Sequence, residues 1–148
     1  MALEGTKTKW ERAARTIAES HPRHRSVLLV EDDPDLQWNL ARMLTVNGNR
    51  VIGTSSGEGA LTVVEEWNPH LALVSSTLPG MRGEEIARRL RMRKPGLLVI
   101  LMGEPDSEPQ LVTNERTSDV SAYLAKPFRF ESLRALIESL QLTPAPAE

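Results

Sequence analysis

His70-Leu71-Ala72-Leu73-Val74-Ser75-Ser76-Thr77-Leu78-Pro79-Gly80-Met81-Arg82-Gly83 reads as a short apolar strand that runs into a Pro-Gly loop. An unbroken apolar run of this length, closed by turn residues, is the pattern of a strand buried on both faces. Two other runs end in a comparable way. Val27-Leu28-Leu29-Val30 leads into Glu31-Asp32-Asp33, and Val120 to Ala125 leads into Lys126-Pro127-Phe128. Strands buried on both faces need helices on both faces, so the segments between them are expected to be helical.

Working outward, Asp33-Pro34 places a capping residue before a proline at the first helical position. Leu36, Leu40, Met43 and Leu44 then fall on one face, and Asn47-Gly48 ends the helix. Arg50 to Thr54 is a second strand. Ser55 or Ser56 caps a second helix through Trp67, with Ala60, Leu61, Val64 and Trp67 inward and Asn68-Pro69 as its stop. The third strand is His70 to Ser75, and Gly83 to Arg93 is a third helix with Ile86 and Leu90 inward. Pro95-Gly96 turns into a fourth strand, Leu97 to Met102; Val120 to Ala125 is the fifth. Phe130 to Leu142 closes the chain with Leu133, Leu136, Ile137 and Leu140 on one face. Between Met102 and Val120, two prolines and only Leu111 and Val112 as sizeable apolar residues make a poor amphipathic helix. One short helix near Pro109 to Arg116 is expected there.

The 148 residues suit one domain, read as 26–142, flanked by an N-terminal extension (1–25) and a Pro-Ala tail (143–148). A net charge of −2 gives no global field for nucleic acid or an anionic membrane. The absence of cysteine excludes disulfides, thiolate metal sites and cysteine nucleophiles. His21, His24 and His70 show no metal-ligand spacing. No apolar run reaches membrane-spanning length and the first twenty residues have no signal-peptide core, so a cytoplasmic protein is expected. Thr8 to Glu19 carries Trp10, Ala14 and Ile17 at helical spacing. It is either a short amphipathic helix that docks on its own domain or a partner, or a disordered stretch, since an isolated helix of this length is marginal.

In an open parallel sheet, ligands bind beyond the carboxyl ends of the strands. Glu31, Asp32, Ser75, Met102 and Lys126 all fall at such ends. Asp-Asp-Pro, then Leu-Pro-Gly-Met-x-Gly, then Lys-Pro-Phe, in this order, resemble the phosphoryl-acceptor site of response-regulator receiver domains from roughly Ser26 to Leu142. The resemblance implies a flavodoxin-like (CheY-like) doubly wound five-stranded parallel sheet, order 2-1-3-4-5, with five helices, the fourth short or irregular. It also implies roles. Glu31 and Asp32 match the acidic pair that holds Mg²⁺, and Ser75 stands where the phosphorylated aspartate belongs. Met102 replaces the Thr or Ser that bonds the phosphoryl oxygen, with Gly103 after it. Tyr123 matches the aromatic that changes rotamer, Lys126 the lysine that pairs with the phosphoryl group, and Pro127 the residue that follows in a cis bond.

Two roles are chemically missing. A serine hydroxyl unaided does not attack phosphorus as a carboxylate does. Losing that carboxylate also weakens any Mg²⁺ site, so no cofactor is expected, with feeble metal binding at Glu31 and Asp32 the alternative. Met102 substitutes an apolar side chain for the sensing hydroxyl. Asp32 and Lys126 are expected to form an ion pair in place of metal and phosphate, Asp33 to cap a helix, and the Arg88–Lys94 run to be a solvated face. The expected function is a phosphorylation-independent pseudo-receiver, not an enzyme, acting as a protein–protein interaction module in bacterial signalling. Output would pass through the surface of the fourth helix, fifth strand and closing helix, with Leu111, Val112, Tyr123 and Arg134, or through the N-terminal extension. No effector domain is read after Leu142, and the chain is expected to be a monomer or homodimer. The alternatives are a signalling domain phosphorylated on Ser75, Ser76 or Thr77, and a weak serine-based enzyme using Asp32 and Lys126.

Overall fold

The computed structural model describes residues 25–103 and 119–141. They form five strands, β1 (Ser26–Val30), β2 (Arg50–Thr54), β3 (Leu71–Ser75), β4 (Leu98–Gly103) and β5 (Ala122–Ala125). Four helices accompany them: α1 (Pro34–Val46), α2 (Gly57–Glu66), α3 (Gly83–Arg93) and α4 (Phe130–Gln141), the closing helix. All neighbouring strands are parallel, in the order β2-β1-β3-β4-β5. The strand order reverses between β1 and β3, which places a crevice beyond their carboxyl ends. The expected fourth helix, with Leu111 and Val112, lies outside the described residues. So do the N-terminal segment 1–24 and the tail.

Strand period two divides the core into two layers. Val27, Leu29, Leu71, Leu73, Ile100 and Met102 face Leu40 and Leu44 of α1 and Leu133 and Ile137 of α4. Leu28, Val30, Ala72, Val74, Val99 and Leu101 face Ala60 and Val64 of α2 and Ile86, Ala87 and Leu90 of α3. Both faces are covered, and the strands therefore read as continuous apolar runs. Among the described residues, no helix is long and apolar enough to cross a membrane.

The helix starts follow local chemistry. Asp33 Oδ1 accepts from the amides of Asp35 (3.0 Å) and Leu36 (3.3 Å). Ser56, not Ser55, caps α2, its Oγ accepting from Gly59 N at 3.0 Å. After α1, Gly48 takes φ 94°, a conformation that favours glycine. Gly83 opens α3 against the end of β3: a Cβ there would lie 2.6 Å from Leu101 Cδ1 and 2.9 Å from the Ser75 carbonyl oxygen. Only glycine lets the helix begin that close to the site.

Several expectations need correction. Met43 is 41% exposed, not inward. Leu36, Leu40 and Leu44 line the sheet at four-residue spacing, and Met43, about 100° back from Leu44, falls at the solvent edge of that stripe. β4 starts at Leu98 because Leu97 N donates to Lys94 O (3.0 Å) in the turn after α3. β5 starts at Ala122, after Ser121 has bonded Val99 through both its amide and its hydroxyl (2.7 and 3.0 Å). Val120 packs in the core without joining the ladder.

Candidate functional site

Side-chain parity assembles the site. Glu31 continues the series Val27, Leu29; Ser75 continues Leu71, Leu73; Met102 continues Ile100; Lys126 continues Ala122, Leu124. All four series point to the α1/α4 face, and register does the rest. Val30 lies beside Val74, Ser75 beside Met102, and Met102 beside Leu124. The amide of Lys126 donates to the carbonyl of Gly103, and the Lys126–Pro127 bond is cis, as the resemblance implied.

The centre is an ion pair. Lys126 Nζ donates to Glu31 Oε1 at 2.9 Å and to Ser75 Oγ at 3.2 Å. The second carboxylate oxygen, Glu31 Oε2, accepts from Asp33 N at 3.0 Å. Glu31 is only 1% exposed and Ser75 is wholly buried. Ser75 Oγ also accepts from Thr77 N (3.3 Å) and lies 3.2 Å from Thr77 Oγ1. This overturns the expected Asp32–Lys126 pair. Asp32 is exposed and stands outside the network, because it has the opposite parity to Glu31 and lies two residues past Val30, the last of β1. Met102 is fully buried and packs with the α1/α4 layer, filling its place with thioether and methyl.

The model of the response regulator receiver domain family matches residues 27–138, about three quarters of the sequence. The chain belongs to this receiver family. Among curated relatives, the transcriptional regulatory protein AfsQ1 of Streptomyces coelicolor is 33% identical over 78% of the receiver chain and 50% of its own length. The transcriptional activator ExaE of Pseudomonas putida is 38% identical over 68% of the chain and 47% of its own. The receiver chain thus spans about half the length of these relatives. Among solved structures, the response regulator TrrA of Thermotoga maritima, in complex with Mg²⁺-BeF, superposes with a TM-score of 0.68. It is 25% identical, over 78% of the receiver chain and 98% of TrrA.

The donor set at the strand ends of this receiver does not fit a hard divalent cation. Such ions take several oxygen ligands, preferably anionic. Here one carboxylate is turned to Lys126 and a backbone amide, the second is outside, and the third oxygen is a neutral hydroxyl. Among the described residues, no group of three or more His, Cys, Asp or Glu could hold a metal.

The other predicted residues are elsewhere. Tyr123 points to the opposite layer, half-buried against the α2/α3 core. Burial, and secondarily the Glu84 carboxylate, push its phenol above the ordinary value. Arg134 is exposed on α4 and lies 3.9 Å from Glu138 one turn on. Leu111 and Val112, the remainder of that expected surface, are outside the described residues. The basic run on α3 is a solvated face, as read: Arg88 and Arg89 both pair with Glu85, at 2.6 and 2.7 Å. Two residues join the site beyond the expected set: Gln37, which was missed, and Thr77, which was named only as a phosphorylation alternative. Thr77 answers Ser75 across two positions, a local hydroxyl pattern visible in Ser75-Ser76-Thr77. Gln37 Nε2 donates to Glu31 O (2.9 Å) and Thr54 O (3.2 Å), tying the ends of β1 and β2. An amide one turn into the helix after the acidic cluster was its only signal.

Proposed function

We propose that this receiver domain works without aspartyl phosphorylation and signals by binding a partner protein in the cytoplasm. The observation that carries the reading is the closed network at the strand ends: the Lys126 ammonium sits between the Glu31 carboxylate and the Ser75 hydroxyl. By the family correspondence, Ser75 takes the acceptor's place and Lys126 the phosphate-pairing place. An internal carboxylate then neutralises the lysine that a phosphoryl group would otherwise engage, and Met102 supplies no hydroxyl to follow one. The domain is thereby held in one arrangement, without a bound metal.

The competing chemistries fit this arrangement less well. Ser75 Oγ accepts from an ammonium, whereas a nucleophilic serine needs a base that accepts from it. Wholly buried, it is also out of a protein kinase's reach. Thr77, exposed, is the hydroxyl a kinase would meet first. The test is incubation of the full chain with acetyl phosphate or phosphoramidate and Mg²⁺, followed by intact mass measurement. The unmodified mass is expected. A stoichiometric phosphate adduct would overturn the reading.

A further inference from the structure

The loop between β3 and α3 leaves the body of the domain directly beside the closed network. Within it Thr77, Pro79, Gly80 and Arg82 are exposed, while Leu78 is buried. Gly80 takes φ 88°, with open space where a Cβ would stand, so the loop projects from the surface.

Proton counting at Ser75 singles out Thr77. A serine hydroxyl accepts at two lone pairs and donates one proton. Ser75 Oγ accepts from Lys126 Nζ at 3.2 Å and from Thr77 N at 3.3 Å, which uses both lone pairs. Its proton therefore goes to Thr77 Oγ1, 3.2 Å away. Among the described residues, no acceptor takes the proton of Thr77 itself. Ser75 is buried with its hydroxyl fully engaged; Thr77 is exposed and its proton is free for a group arriving from solvent. Modifying Thr77 thus breaks no internal hydrogen bond.

We propose that Thr77 is the substrate hydroxyl of an ATP-dependent serine/threonine kinase, and that Lys126 receives the phosphate. The inference rests on the reading above of a network closed to aspartyl phosphorylation, and it names what opens that network. In the transfer, Thr77 Oγ1 bonds to the γ-phosphorus of ATP and the bond from that phosphorus to the β–γ bridging oxygen breaks. ADP leaves, and the threonine proton passes to the kinase's catalytic base. Thr77 Oγ1 and Lys126 Nζ each lie 3.2 Å from Ser75 Oγ, so at most twice that distance separates them. The phosphoryl group projects three acceptor oxygens with a charge of about −2. A charge-assisted bond of about 2.8 Å from the ammonium to one of them fits within that span. The lysine side chain is 13% exposed and that of Glu31 only 1%, so the phosphate meets the ammonium from the solvent side while Glu31 holds it from within. The dianion competes with a single carboxylate that already accepts from Asp33 N through its other oxygen.

The test uses the full chain with phosphothreonine installed at position 77 during translation, read by phosphorus NMR across pH. The phosphate's second ionisation, ordinarily near about 6, should have its midpoint about one pH unit lower in this chain than in the same chain carrying Lys126→Met. Glu31→Gln keeps the lysine and frees it from its carboxylate, so there the midpoint should fall below the parent's. A midpoint unmoved by both substitutions would overturn the proposal. Chain purified from the cells that make it should also carry phosphate on Thr77 when its peptides are fragmented by mass spectrometry. Thr77 free of phosphate at every growth phase sampled would overturn it as well. A threonine ester survives hydroxylamine and an acyl phosphate does not, so loss of this inference is distinguishable from an aspartyl adduct that would sink the reading beneath it.

Discussion

At the scale of single residues, Lys126 decides which carboxylate belongs to the site. Glu31 and Asp32 are adjacent in sequence and chemically alike, yet one is buried on the ion pair and the other is in solvent. Replacing Lys126 by Met would leave the Glu31 carboxylate buried with only the Asp33 amide to solvate it. Stranding a buried charge in this way costs about 3–5 kcal/mol. We expect about 3 for Lys126→Met in urea unfolding, since the lysine is itself 13% exposed and water can enter. Asp32→Asn should change stability by less than about 0.5 kcal/mol, as an exposed substitution without partners does. Equal losses in the two variants would return the pair to Asp32. The distinction was legible in advance: counting by twos from Val27 through Leu29 sends Glu31 inward and Asp32 away. Family role alone weighs the two acids equally; strand parity carried one residue past Val30 separates them.

Among the elements, α3 was legible to the residue because its signals are local. Gly83 permits the close approach to β3, Glu84 and Glu85 suit the first turn, and Arg91 and Arg93 suit the last. The starts of β4 and β5 were missed by a residue or two, because Leu97 and Val120 are as apolar as ladder residues, and the bonds that set those starts, the turn bond of Leu97 N to Lys94 O and that of Ser121 N to Val99 O, leave no mark in an apolar pattern. Met43 was missed for a related reason: helical spacing gives an angle, and the width of the buried stripe depends on how much sheet lies beneath. The charged face of α3 carries its own prediction. Hydrogen bonds from Arg88 and Arg89 hold the Glu85 carboxyl down to about 2, from an ordinary 4.5. A lowered folded value means that this contribution is complete above pH 4.5 and is lost as pH falls towards 2. Carboxyl-carbon NMR should therefore show Glu85 titrating well below the other glutamates. In Arg88→Gln/Arg89→Gln it should move up towards the ordinary value, with little change in stability at neutral pH because the group is at the surface. An unshifted Glu85 in the parent chain would dissolve the pairing.

For the whole molecule, the question is whether stability is coupled to a metal. The strand order puts three chain-distant segments, the ends of β1, β3 and β5, within one set of hydrogen bonds, so anything bound there would tie the fold together. In the native chain that role falls to Lys126, and we expect the thermal midpoint to be the same in EDTA and in millimolar MgCl₂. Ser75→Asp changes the account. It sets a second carboxylate beside Glu31 in a site where Ser75 is fully buried, and two such groups sharing one lysine repel each other. Without metal the variant should melt below the parent. The variant offers Mg²⁺ three carboxylates, the new one together with Glu31 and Asp32, and binding to the folded state alone stabilises by mass action. At a hundredfold excess over the dissociation constant the gain is about 2.7 kcal/mol. For a chain of this size that corresponds to a rise of roughly 5–10 °C. The new carboxylate should not by itself create a phosphorylation-dependent switch, since Met102 remains buried in the α1/α4 layer and carries no hydroxyl to follow a phosphoryl group. Acetyl phosphate should therefore leave hydrogen exchange around β4 and β5 unchanged in Ser75→Asp, and alter it only when Met102→Thr is added. A Mg²⁺-dependent midpoint in the parent chain would mean that Glu31 leaves Lys126 for a metal, and the closed network would then be one of two states instead of the resting form of the domain.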